Sequence, residues 1–418
     1  MPSVEGLPAR QAALQLLDSV LRRGQTLDAS AGSVRGLSPP DRALAVAIAG
    51  EALRRVPDLD ALIDSATRNR LPDDSKARMV LRLALAQKVG LGTPEHALVS
   101  TALPLVDGGP RRLVHGVLGT LLRRGVPAMD APSLPPAVEQ RWRAAWGDTT
   151  VEAARRQIGH RPALDLTFGD DAEAEAYAAA NDGVSLAPRH VRLASSAVAE
   201  LSGFEGGRWW VQDLAASLPT RLIPGDAKSV LDLCAAPGGK TMQLAAARHQ
   251  VTAVDSSAAR LERLKENLGR THLDANLIPA DALTWEPKEQ FDAILLDAPC
   301  SATGTFRRHP EVLYRARPRA IAESAGLQRQ LLARAANWLK PGGALVYSVC
   351  SLESDEGEGV IRDFLSANPN FQIDLSGPEE LPDFAAPSPE GWVRILPGLL
   401  EAEGGLDGFF MSRLVRGG

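Results

Sequence analysis

The stretch "VLDLCAAPGGKT" (Val230–Thr241) joins an apolar run to a helical one through a turn of alanine, proline and glycine. An apolar run of four to eight residues bounded by such a turn reads as a fully buried strand. A small-residue turn between a buried strand and a helix is where an open α/β sheet receives a nucleotide-like ligand. Outward from this point the pattern repeats. "VTAVD", "NLIPAD", "FDAILLD" and "GALVYSV" read as further strands. "SAARLERLKENLGRT", "RAIAESAGLQRQLLARAANWL" and "DEGEGVIRDFLSAN" read as the helices between them. The segments "GWVRILP" and "DGFFMSRLVR" close the series as a strand pair. The alternation predicts an α/β fold with a doubly wound, mostly parallel sheet over residues 226–418.

Three ligands compete for the turn. The dinucleotide spacing G-x-G-x-x-G is absent. A phosphate-cradling loop needs G-x-x-x-x-G-K-[ST], but Cys234 stands at the first glycine and Pro237 removes one N–H from the cradle. The third ligand is S-adenosylmethionine, for which close backbone approach matters more than phosphate charge. Ala235, Ala236, Gly238 and Gly239 suit that approach. Asp255 ends the next strand, placed to accept from ribose hydroxyls, and Asp281 ends the third, placed to meet an adenine amino group. Either acid alone could be a helix cap.

Residues 1–127 read as helix after helix, with no strand-like alternation. "SPPDRALAVAIAGEALRRV" opens on a helix-start signal at Ser38 and Pro39. Arginine pairs tip several helices: Arg22–Arg23, Arg54–Arg55, Arg111–Arg112 and Arg123–Arg124. Their ordinary role is a solvated helix end that complements the macrodipole. "GVPAMDAPSLPPAV" reads as a linker. Residues 136–225 mix helices with short strands such as "PALDLTF" and form a small mixed α/β segment.

The chain has 418 residues, a net charge of −5, 44% hydrophobic and 23% charged residues. These values fit a globular protein with two to three domains. No basic-then-apolar leader opens the chain and no run approaches the roughly 18 apolar residues of a membrane span. A cytoplasmic monomer without membrane association is expected. Cys234, Cys300 and Cys350 are the three cysteines. An odd number, widely spaced, fits a reducing compartment and offers no zinc-knuckle spacing, so no metal is expected.

Cys300, in "LLDAPCSATG", and Cys350, in "YSVCS", each stand at the mouth of a strand. A free thiol has a pKa near 8.5, so a nucleophilic cysteine needs a helix N-terminus or a nearby cation. The commonest fate of a free cysteine is a small buried hydrophobe. The best chemistry for the pair is addition of a thiolate to an electron-poor ring. Carbon 5 of cytosine is not nucleophilic; attack of a thiolate on carbon 6 makes it so. Asp297, between strand and cysteine, can hydrogen-bond N3 and the exocyclic amine of a pyrimidine. Spacing does not decide which cysteine attacks.

"DLCAAPGGKT", "VDSSAARLERLKENLGR", "LLDAPCSATGTFRRHPE", "YSVCSLESDEGE" and "DGFFMSRL" together resemble the Sun family of RNA 5-methylcytosine methyltransferases, of the RsmB type. The N-terminal helices, ending in "LVHGVLGTLLRR", resemble a NusB-like RNA-binding domain. The resemblance implies a Rossmann-like catalytic domain, S-adenosylmethionine as cofactor, and RNA as partner, with 16S ribosomal RNA first and transfer RNA second. It implies that Cys350 is the nucleophile and that Cys300 assists product release. Asp297 would bind the cytosine and the cofactor region. Residues Cys234 to Lys240 would surround the methionine part, with Lys240 in the active site. Arg307, Arg308 and His309 follow the cysteine loop and are candidates to hold the RNA backbone. Trp209 and Trp210 are candidates to stack on a base, although such aromatics are more often strand residues in a core.

The chain departs from the family pattern at three places. Glu353 stands where proline is expected after "YSVCSL". Asp165 replaces an arginine in "LDLT". "VHGVLG" stands where "VNAVLR" is usual. A nitrogen-methylating enzyme would need an aromatic motif where "DAPCS" stands. A silent RNA-binding assembly factor is the non-enzymatic alternative.

Overall fold

The computed structural model describes residues 5–34, 36–194, 198–374 and 381–417. The chain divides into two compact units. One holds Met1–Arg161 and Phe306–Arg317, and the other Pro162–Thr305 and Pro318–Gly418.

The first unit is helical. Helix Pro39–Arg54 begins at Ser38, whose side chain accepts from Asp41 N, with proline next in line. That is the start signal read from the sequence. Helix Lys76–Leu91 is the centre of the bundle, and every residue from Ala77 to Gln87 is buried. Burial of Arg78 and Arg82 inside it needs counter-charges. Asp60 meets both arginines, at 3.0 and 2.7 Å, and Asp64 meets Arg78.

Two features differ from the expected division. The helical stretch Pro136–Gly159, two helices that meet at a kink at Gly147 (φ 79°), continues the helical unit past the Pro-rich stretch. Arg54 and Arg55 are buried, and their guanidinium groups donate to the carbonyls of Ile158 and Gly159, both at 3.1 Å. This pair therefore holds a helix in place and is not a solvated tip. By contrast Arg111, Arg112, Arg123 and Arg124 are exposed.

The second difference is the segment Phe306–Arg317, which leaves the cysteine loop and packs in the helical unit. Glu311 accepts from Leu27 N at 3.1 Å, Tyr314 OH donates to Leu53 O at 2.7 Å, and Phe306 lies 5.5 Å from the Trp142 ring.

Among the described residues the second unit carries two sheets. The small one is β2–β1–β3, formed by β1 (Leu164–Phe168), β2 (His190–Leu193) and β3 (Trp209–Val211), all antiparallel. The large one has eight strands. β4 (Ser229–Leu233), β5 (Gln250–Asp255), β6 (Asn276–Pro279), β7 (Phe291–Asp297) and β8 (Leu339–Val349) are parallel. β9 (Phe371–Ile373), β10 (Val393–Ile395) and β11 (Phe409–Arg416) complete it, with β11 antiparallel to β8. The order is β10–β11–β8–β7–β4–β5–β6, with β9 beside β11. The predicted strand pair at the C-terminus is β10 with β11.

The order places the site. From β4 the chain moves outward through β5 to β6, then returns to the other side of β4 as β7. The reversal leaves a crevice beyond the C-terminal ends of β4 and β7, where such sheets take their ligands. Among the described residues no helix is long and apolar enough to cross a membrane.

Candidate active site

The turn after β4 starts at Cys234 in the left-handed region (φ 61°) and ends at Gly238 (φ 107°), where helix Gly239–Ala246 begins. A Cβ on Gly238 would stand 2.0 Å from Leu264 Cδ1, so the position needs glycine for both space and conformation. The helix carries Lys240 to the crevice. Lys240 Nζ donates to Asp297 Oδ2 at 2.7 Å, and Ser348 Oγ donates to Asp297 Oδ1 at 3.0 Å. The Phe409 ring lies 5.2 Å from the ammonium. Residues from four elements thus meet at the switch point: Lys240 from the start of a helix, Asp297 and Ser348 from the ends of β7 and β8, and Phe409 from the start of the antiparallel β11.

The β7–β8 register brings the cysteines together. Asp297 lies opposite Ser348. Cys300 and Cys350 each follow shortly after that pair, and their sulfurs are 3.5 Å apart, each half-buried. The hydrogen bond to Cys350 pushes the Cys300 thiol well above its usual range, with burial and Glu356 adding to the shift. Either thiol can be the donor of the contact between the two sulfurs. Cys234 is different. Burial, with Asp297 behind it, pushes its thiol up to about 12, and it stands in the turn as an inert group.

The loop after Cys300 is fixed by a glycine contact. Gly304 N donates to Cys350 O at 3.0 Å, and Gly408 N donates to Gly304 O at 2.9 Å. A Cβ on Gly304 would lie 1.9 Å from Gly408 O. The glycines of "SATG" and "DGFF" are thus one backbone-to-backbone approach.

Asp255, at the end of β5, is buried. It accepts from Ala236 N at 3.2 Å and Ser257 N at 2.9 Å. It braces the turn, and a carboxylate retains lone pairs beyond those two. Asp281 follows β6 and is exposed, with Oδ1 accepting from Leu283 N at 2.9 Å. Asp232, fully buried in β4, accepts from Thr241 Oγ1 at 2.6 Å, while its Oδ1 has no partner among the described residues. Burial pushes its carboxyl up to about 7. A glycine turn, strand-end acids in the order β4, β5, β6 and β7, and an orphaned acceptor beneath the turn fit a ligand with an amino-acid part, a ribose and a base.

Several expected residues do not meet at this point. Arg307 is 2% exposed, and its segment belongs to the helical unit, so its side chain is not offered to a ligand. Arg308 is exposed. His309 lies 3.8 Å from Glu311 and 3.9 Å from Asp28. The Glu311 hydrogen bond raises the His309 pKa against burial. Trp209 and Trp210 are buried, with their indole N–H groups on Ser202 O and Gln212 Oε1, so neither stacks on a base.

Sequence reasoning missed the residues behind the cysteines. Glu356 is fully buried and accepts from Ser301 and Ser351. Glu353, the departure from proline, donates its backbone N–H to Ser351 Oγ at 3.1 Å, a bond that proline lacks. The signal for Glu356 was hidden in the acid run "ESDEGE", where any one glutamate reads as a helix start.

Residues 219–415 match the model of the family described as 16S rRNA methyltransferase RsmB/F, and residues 7–123 match the NusB family. Ribosomal RNA small subunit methyltransferase B of Xanthomonas campestris is 35% identical over 438 residues, covering 98% of each chain. The protein of that name from Erwinia tasmaniensis is 33% identical over 441 residues, covering 97% of this chain and 98% of its own. Among solved structures, PH0851 superposes with a TM-score of 0.74 at 22% identity, covering 98% of each chain. A methyltransferase homolog protein from Pyrococcus horikoshii gives 0.57 at 25% identity over 71% of this chain and 98% of its own. With near full-length relatives at 33–35% identity and both family models matched, the chain belongs to the RsmB/F family of 16S rRNA methyltransferases, with a NusB-family helical domain at its N-terminus.

Proposed function

We propose that the chain methylates carbon 5 of a cytosine in small-subunit ribosomal RNA through a covalent bond between Cys350 and carbon 6. Methyl transfer to ribosomal RNA, with S-adenosylmethionine as donor, is the activity of its family. The single observation that carries the finer reading is the pair of thiols 3.5 Å apart beside the Lys240–Asp297 pair. Methylation of an exocyclic nitrogen has no use for two adjacent thiols.

The target base must leave its stack to enter the crevice, from a single-stranded loop or an opened helix. Asp297, held by Lys240 and Ser348, accepts from the exocyclic amine of the cytosine, and from N3 once N3 takes up a proton as carbon 6 is attacked. Cys350 adds to carbon 6 as the thiolate, the C5–C6 π bond opens, and its electron pair makes carbon 5 nucleophilic. The residues from Cys234 to Lys240, with Asp255 and Asp281, would hold S-adenosylmethionine, whose sulfonium would supply the methyl group for carbon 5 and leave as the thioether. The carbon 5 proton then leaves to a base, the C5–C6 double bond re-forms, and the C6–S bond breaks to return Cys350. We assign assistance in this release to Cys300. Arg308 and His309 remain candidates for the RNA backbone.

The test is nucleoside analysis of unmodified small-subunit RNA after incubation with the full chain and labelled S-adenosylmethionine. Label in 5-methylcytidine is expected. Label in an N-methylated nucleoside would sink the reading, and label taken only by transfer RNA would change the substrate. Lys240→Met should lower kcat by about 100-fold, because Asp297 loses the partner that fixes its carboxylate. Single-turnover rates at saturating cofactor check this, and a loss confined to KM would reassign Lys240 to binding alone.

A further inference from the structure

We infer that Glu356 is the positioning residue that clamps the two cysteine loops together. The inference rests on the covalent reading only for its consequence in catalysis. The clamp itself is geometric. Ser301 follows Cys300 and Ser351 follows Cys350. One carboxyl group holds both: Oε1 accepts from Ser301 N at 2.8 Å, and Oε2 accepts from the hydroxyls of Ser301 and Ser351. Gln328 Nε2 donates to Oε1 at 3.3 Å and to Pro299 O at 2.8 Å, which ties the start of the Cys300 loop to the same group. Thr303 Oγ1 accepts from Leu352 N at 3.0 Å, and its hydroxyl lies 3.3 Å from that of Ser351, a second bond between the loops.

Glu356 touches neither sulfur through a hydrogen bond and faces no solvent. It is 0% exposed and lies in the turn just before helix Glu358–Ala367. A carboxyl group taken out of water is costly unless its acceptors are filled. Here they are filled by donors from two loops that have no other reason to share one residue. Burial pushes its carboxyl up, against the bonds from Ser301 and Ser351. A neutral amide of the same shape is therefore a fair copy. Its oxygen can still accept from Ser301 N, and the two hydroxyls can turn to accept from its NH₂. Alanine has neither group. Two thiols held at 3.5 Å need such support, since loops set side chains less rigidly than strands do.

The experiment uses the full chain as Glu356→Ala, Glu356→Gln and the double variant Ser301→Ala/Ser351→Ala. Diamide takes one hydrogen from each thiol and leaves a disulfide, and peptide mass mapping follows the Cys300–Cys350 link. Glu356→Ala should slow that link by about 10-fold or more, and Glu356→Gln should stay within about 3-fold of the parent, as expected for lost and kept alignment. Methyl transfer should follow the same order, with kcat down about 100-fold in Glu356→Ala and KM for S-adenosylmethionine unchanged. A folded Glu356→Ala protein that forms the disulfide at the parent rate overturns the clamp. If that variant does not fold, the double serine variant decides, and a parent-like rate there overturns the clamp equally. A slowed disulfide with undiminished methylation supports the clamp and removes the covalent cysteine reading instead.

Discussion

Replacing Cys350 by alanine is expected to cut methyl transfer by about 10⁴-fold or more, the scale seen when a covalent nucleophile is removed. Replacing Cys300 is expected to do something different. With its release partner gone, Cys300→Ala should accumulate a protein–RNA adduct that survives a denaturing gel. The double variant Cys300→Ala/Cys350→Ala should form none. Two features of the site support this division. The sulfurs are 3.5 Å apart, so one base can be within reach of both. The hydrogen bond with Cys350, and then burial, raise the Cys300 thiol above its usual range. A thiol that keeps its proton is a poor nucleophile, because the thiolate is the reacting form. Adduct formed by Cys350→Ala alone would reverse the two roles. Adduct in neither single variant, with methylation intact in both, would end the covalent scheme.

Much of this site was legible in the sequence because its signals are local. A buried strand, a glycine turn and a helix lie within "VLDLCAAPGGKT", and the alternation that follows implies the parallel sheet without any knowledge of contacts. The proximity of the cysteines was not local. It depends on β7 pairing with β8 so that Asp297 faces Ser348, a register set across some fifty residues of intervening chain. The clamp at Glu356 was hidden for the same reason: its partners are Ser301, Ser351 and Gln328. Arg307 shows the opposite failure. Its place after the cysteine loop suggested contact with RNA, and charge suggested exposure. Yet the segment Phe306–Arg317 folds with the helices, and Arg307 is buried there. Charge patterning reports average exposure and does not see which unit a loop joins.

Asp165 looked like a defect in the sequence, an acid where the family has an arginine. In the structure it faces Arg192 across the β1–β2 ladder. Arg192 donates through Nε at 2.7 Å and Nη2 at 2.8 Å to the two carboxylate oxygens, and Leu214 N donates at 3.0 Å. His190 Nε2 lies 3.2 Å from Oδ1. Burial alone would raise the Asp165 pKa, but Arg192 and His190 outweigh it and hold the carboxyl well below the usual carboxylate range. The stability this contributes is complete above the unfolded value of roughly 3.9 and fades as pH falls through the lower folded value. Asp165→Ala at neutral pH should cost about 3–5 kcal/mol, since it strands a buried guanidinium. Urea unfolding should show the midpoint of the larger unit falling by about 1–2 M at an unchanged slope. Removing both charges, as Asp165→Leu/Arg192→Met, should recover most of that loss, because a pair replaced by apolar groups of similar volume gives up its attraction and its desolvation cost together. If the double variant were no more stable than the single one, the worth of Asp165 would lie in its bond to Leu214 N, which fixes the segment leading from β3 toward the glycine turn, and not in its charge.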